Sequence, residues 1–159
     1  MENNILVKNK YIVYNEDYKI LVFMAYYKSK IKIFVPGTTS LDNFENEFES
    51  SIRKILLTDD IVFLQRDIAN MPVLESYNYK LKKSSLQMVR NYYSCYREFS
   101  KEDDKQIMEL CYKYRYKPYF LTIDELKGII KNRPYHIDID CSMYQSLDEL
   151  DKRLKFIKY

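Results

Sequence analysis

Residues 136–140 read His-Ile-Asp-Ile-Asp, and here residue type and spacing come nearest to a reaction. On a strand, alternate side chains share a face, so His136, Asp138 and Asp140 point one way at intervals of about 6.5–7 Å. Hard divalent cations favour carboxylate oxygens, and an Asp-x-Asp strand is one way to hold Mg or Mn for phosphoryl or glycosyl chemistry. Neither a glycine-rich nucleotide loop nor a third acid placed by motif accompanies the segment. The competing account is a half-buried strand, with Ile137, Ile139, Cys141 and Met143 inward and the polar set in water. No cofactor is expected on that account, and Mg or Mn belongs to the metal reading alone.

Other chemistries are largely closed by composition. Gly37 and Gly128 are the two glycines of the chain, and they cannot build a phosphate-cradling loop. One histidine limits any Ser–His–Asp triad to His136. Cys95, Cys111 and Cys141 lack metal-ligand spacing. Cys111 and Cys141 fall on apolar faces, so buried thiols in a reducing cytoplasm are expected. The scarcity of Gly and Ala beside abundant Lys, Asn, Ile and Tyr is the print of an A/T-rich genome, as in many bacteria, phages and large DNA viruses.

A second candidate set lies on a long helix expected from about Pro72 to Phe99. Leu74, Tyr77, Leu81, Met88, Val89, Tyr92, Tyr96 and Phe99 form its core stripe at helical spacing. Tyr79, Leu86 and Tyr93 recur every seven residues on a second stripe, with Lys83, Arg90 and Arg97 alongside. Tyrosine and arginine are enriched at binding hot spots, so this stripe is the expected partner surface. The segment Tyr77–Tyr119 also holds nine of the 17 tyrosines, with ten Lys or Arg against five Asp or Glu. Aromatics interleaved with cations can bind single-stranded nucleic acid.

The elements that position these residues change character along the chain. Tyr11–Tyr14, Lys19–Tyr27 and Ile31–Val35 read as strands, with Ile5–Val7 as a fourth. Lys28, Lys30 and Lys32 alternate and mark a wet face. After Gly37 the period becomes helical: Leu41, Phe44, Phe48, Ile52, Ile55 and Leu56 share one stripe behind an N-cap at Ser40. The stretch from Ile61 to Ile68 is ambiguous between helix and strand. Capping-box spacings at Ser100–Asp103, Thr122–Glu125 and Ser146–Glu149 predict three further helix starts. Tyr135–Met143 alternates as one more strand.

The expectation is therefore α+β: an N-terminal antiparallel β-meander, then a predominantly helical remainder with one further strand near 135–143. Residues 1–159 read as a single compact domain. With 47% hydrophobic and 31% charged residues the chain is globular, and its longest apolar run is too short for a membrane span. By elimination the leading functional reading is a non-enzymatic cytoplasmic protein that occupies a partner protein's surface. Immunity, counter-defence and viral host-interaction proteins are of this type. The alternatives are a metal-dependent enzyme at His136, Asp138 and Asp140, and a single-stranded nucleic-acid binder.

Overall fold

The computed structural model describes residues 5–39, 47–56, 60–72, 85–132 and 134–158. Strands β1 (Ile5–Tyr14), β2 (Lys19–Tyr27), β3 (Lys30–Phe34) and β4 (Gly37–Thr39) come first, followed by helix α1 (Glu47–Leu56). Two long strands follow, β5 (Val62–Pro72) and β6 (Ser85–Tyr96), then helix α2 (Lys101–Tyr114) and strand β7 (Tyr116–Thr122). Helix α3 (Ile123–Asn132), the short strand β8 (Ile137–Ile139) and helix α4 (Met143–Lys158) complete the order. No helix among the described residues is long and apolar enough to cross a membrane.

A meander with a mostly helical remainder is not what forms. The strands make one mixed eight-stranded sheet in the order β5-β6-β1-β2-β3-β8, with β4 beside β1 and β7 beside β2. The long helix expected from Pro72 does not exist: Pro72 ends β5, and residues 85–96 are strand. β6 is hemmed in by antiparallel β5 and parallel β1. Asn91, Tyr92, Ser94 and Cys95 are buried nearly in succession because both faces of this strand are covered. A strand buried on both sides shows no alternation, and its apolar residues then fit a helical period by chance.

Helices pack on both faces of the sheet. Ile20, Val22, Ile33 and Tyr92 meet Leu126 and Ile130 of α3 and Leu147 and Leu150 of α4. On the opposite face Leu21, Phe23 and Cys95 meet Phe48 and Ile52 of α1 and Ile107 and Cys111 of α2. The odd–even split along β2 is what a strand between two apolar layers requires.

Two of the five expected helix starts stand, at Ser100 and Thr122, while the N-cap expected at Ser40 lies outside the described residues. Ser100 and Asp103 close a reciprocal box on α2, and Thr122 and Glu125 do the same on α3. Ser146 does not cap. It lies inside α4, fully buried, with no hydrogen-bond partner for its hydroxyl among the described residues. Asp140 and Ser142 stand just before that helix instead, the Ser142 N–H donating to Asp140 Oδ1 at 3.1 Å.

The sheet is curled because β1 and β2 separate. They pair at Tyr14↔Ile20, beside a turn in which Asn15 Oδ1 accepts the N–H groups of Asp17 and Lys19 at 3.0 Å each. Beyond that turn β1 takes β6 and β4 as neighbours, while β2 takes β7 and β3. The chain from β3 to β4 crosses between the two halves at Val35-Pro36. Gly37 makes the crossing tight: a Cβ there would stand 2.8 Å from the Asn9 carbonyl oxygen.

Candidate functional site

Where the two halves of the sheet separate, a cavity of about 220 Å³ opens between β1, β3, β6 and the start of α4. Lys8 and Lys10 reach it from β1, Lys32 from β3 and Arg90 from β6, against two lining carboxylates, Asp138 and Asp140. The register explains the convergence. β1 and β6 run parallel with Lys8 beside Arg90 and Lys10 beside Tyr92, and β8 sets Asp138 beside Lys32.

Electrostatics in the cleft are strained by this crowding. Burial pushes the Lys10 ammonium below its usual range, and the neighbouring Lys8 adds to the push. Lys8 is lowered in the same way by burial and then by Lys32. Glu49 of α1 has its carboxyl raised by burial, although Lys10, Lys8 and Lys32 all pull it down. Cations gathered where water is scarce favour an anionic ligand.

Arg90 and Asp140 form the fixed part of the wall. Arg90 lies 2.6 Å from Asp67 of β5 and 3.3 Å from Asp140. Burial opposes its charge, but the two carboxylates outweigh it and hold the guanidinium pKa above the usual value. Asp140 would be raised by burial. The Ser142 and Tyr92 hydroxyls donate to it and Arg90 faces it, so it is held below the ordinary carboxylate range. The buried Tyr92 hydroxyl is pushed up, first by burial and then by Asp140.

Of the residues expected to bind metal, Asp138 and Asp140 reach the cleft and His136 does not. His136 is exposed, its ring 5.7 Å from that of Tyr135, while its carbonyl accepts the Ile31 N–H. The strand is also shorter than expected, ending at Ile139, so Cys141 is exposed and Met143 is buried as part of a helix. Among the described residues no three His, Cys, Asp or Glu side chains stand where they could hold a metal ion.

The residues of the second helical stripe are dispersed. Tyr79 and Lys83 lie outside the described residues, and Leu86 falls at the start of β6. Arg90 faces the cleft, whereas Tyr93 is on the opposite face, its ring 5.7 Å from Tyr11 and 5.5 Å from Phe63. Arg97 is paired with Asp103 at 2.9 Å. Lys8, Lys10, Lys32 and Glu49 were missed. A signal existed: on β1 the two lysines share a face with Leu6 and Ile12, both fully buried.

No family model matches the chain, and no curated protein matches it. Among solved structures, an Ap4A hydrolase of C. elegans matches over 94% of this chain and 98% of its own, at 10% identity and a TM-score of 0.43. A binary complex of a C. elegans Ap4A hydrolase matches over the same shares at 10% identity and a TM-score of 0.47.

The expectation of a non-enzymatic protein binder is withdrawn on the fold, because the helix that was to carry the partner surface is a strand paired between two others. The nucleic-acid reading goes with it. The described part of Tyr77–Tyr119 is divided among β6, α2 and β7, with Tyr92 fully buried and Tyr112 89% exposed. The virus or phage origin expected from composition finds no support among the described residues.

Proposed function

We propose that the cleft binds a small molecule carrying a phosphate ester or anhydride and that the chain acts on it as a phosphoryl hydrolase. The convergence of Lys8, Lys10 and Lys32 on one cavity carries this reading. Burial and neighbouring cations lower the pKa of Lys8 and Lys10, and a bound anion favours their charged forms. The same cations offset charge on the phosphoryl oxygens as water attacks phosphorus and the bond to the leaving oxygen breaks. The proton of the attacking water passes to solvent, and a lysine ammonium lining the cavity supplies one to the leaving oxygen. Asp140 and Arg90 brace the wall rather than react, since both are committed to partners. In this reading the chain is one domain working in the cytoplasm, which the free buried thiols of Cys95 and Cys111 support.

Thermal unfolding with inorganic pyrophosphate and with sugar and nucleoside phosphates tests the proposal. A ligand at 100 times its Kd adds about 2.7 kcal/mol of stability, and Lys10→Met should remove that gain while leaving the fold intact. If no phosphate compound stabilises the wild-type chain at millimolar concentration, the reading fails.

A further inference from the structure

The tip of the β2–β3 hairpin carries a surface that the cleft does not use. Tyr26 and Tyr27 end β2, 64% and 65% exposed, and the turn Lys28-Ser29 leads into Lys30 of β3. Lys28 takes the left-handed backbone, φ 56°, that lets this short turn close. Arg115 and Lys117 come up beside the tip, because β7 opens with Tyr116 against Ala25 and Lys117 against Met24. On the other side the Tyr135-His136 turn enters β8. There the Ile31 N–H donates to the His136 carbonyl at 2.8 Å, and Tyr135 is 91% exposed.

Charge at this end has one sign. The stretches that supply it, residues 18–39, 110–123 and 126–137, contain no Asp or Glu. Lys28, Lys30, Arg115 and Lys117 are exposed, and none has an ion pair among the described residues. Glu47, which approaches from α1, accepts a hydrogen bond from the Tyr114 hydroxyl at 3.0 Å.

We infer that this end docks on an anionic phospholipid membrane, with lysine and arginine at the headgroups and tyrosine at the interface. Acidic lipid attracts each cation held near its surface. Tyrosine is enriched at the membrane boundary, where its ring is apolar and its hydroxyl stays wet. Ring placement separates a membrane from a nucleic-acid strand. Tyr26 and Tyr27 are consecutive on a strand, so their rings stand on opposite faces of the hairpin. Successive bases need a continuous platform of rings to stack on. Each ring also has an ammonium over it: Lys117 is 5.7 Å from the Tyr26 centroid, and Lys28 is 5.6 Å from that of Tyr27. Rings on both sides of a protruding tip, each beside a cation, suit a plane met end-on. None of these groups lines the cleft, so the surface stands whether or not the cleft takes a phosphate.

Cosedimentation of the full chain with vesicles tests this. Phosphatidylcholine vesicles containing about a third phosphatidylserine should carry the chain down at low salt, and pure phosphatidylcholine should not. Lys28→Asn combined with Lys30→Gln should weaken binding about 25-fold, since each lysine near such a surface contributes about fivefold. Asparagine tolerates the left-handed backbone at residue 28, so the turn survives. Tyr26→Ala combined with Tyr27→Ala should weaken binding at unchanged charge; an unchanged affinity overturns the role given to the rings. Lys152→Gln, on the exposed side of α4, should leave binding as it is. Equal binding to both kinds of vesicle, no binding to either, or the same loss from Lys152→Gln overturns the docking surface. A single-stranded oligonucleotide that binds the chain where phosphatidylserine vesicles do not overturns it as well, in favour of nucleic acid.

Discussion

Strand β1 has two ends on one face, and they have opposite fates. At one end Ile12 is fully buried beside Ile20, Leu64 and Tyr92. Two and four residues earlier on the same face, Lys10 and Lys8 hold charge in a half-open cavity. The strand is continuous, with β6 paired along its whole length. What differs is the other neighbour: the β2 hairpin closes the Ile12 end, whereas at the lysine end β4 sits beside β1 and the β2–β3 half of the sheet has swung away. Packing tolerates charge only where the layers do not close, and such a place is where a ligand fits.

The largest effect expected comes from a closed layer, the one on the opposite face of the sheet. Phe48 of α1 packs edge-on against Phe23, Phe34 and Tyr116, with ring centres 4.6–6.3 Å apart, and is 1% exposed. Phe48→Ala should cost about 3–5 kcal/mol in urea unfolding, since the surrounding rings cannot collapse into the space. A cost under about 1 kcal/mol would mean this layer is not the closed one.

Tyr92→Phe probes the seam between the two regions. Its ring belongs to the apolar layer, while its hydroxyl donates to Asp140 and lies 3.1 Å from Ser142 Oγ. Losing the hydroxyl should cost about 1–3 kcal/mol of stability, because Asp140 keeps its charge with one donor fewer. It should also weaken phosphate binding, through a displaced Arg90.

The smallest effect is on the open side, and its sign is the informative part. Lys10 has a folded-state pKa below the ordinary 10.5, so between the two values the unfolded chain binds more protons than the folded one. Stability contributed by this group therefore rises with pH across that window. Without ligand, Lys10→Met should be more stable than wild type near neutral pH by no more than about 1 kcal/mol, the charge being partly screened. Unfolding of both proteins from about pH 7 upward checks this: the advantage should shrink as pH approaches 10.5. An advantage that grows with pH would mean Lys10 is already paired in the free cleft.

Legibility followed the range of the interaction. The stripe Phe48, Ile52 and Leu56 was readable because a helix repeats within itself, and all three are buried as expected. The boxes at Ser100 and Thr122 were readable because cap and partner lie three residues apart. β6 was not, because being covered on both faces erases the alternation that marks a strand, and its parallel partner β1 lies some eighty residues away. β7 was hidden by distance alone: Tyr116–Thr122 pairs with Lys19–Ala25 across nearly a hundred residues.

The candidate site divides along the same line. The sequence by itself singled out Asp138 and Asp140 as neighbours on one face, and named Arg90 for a different role. It also fixed the low glycine content that forbids a glycine-rich loop, and with it the need for side chains to bind any phosphate. Tertiary structure alone decided that Lys8, Lys10 and Lys32 meet those residues, and that His136 stays outside. The reason is physical: where a side chain ends up facing depends on which strands its own strand pairs with, and β1 exchanges β2 for β4 midway along its length.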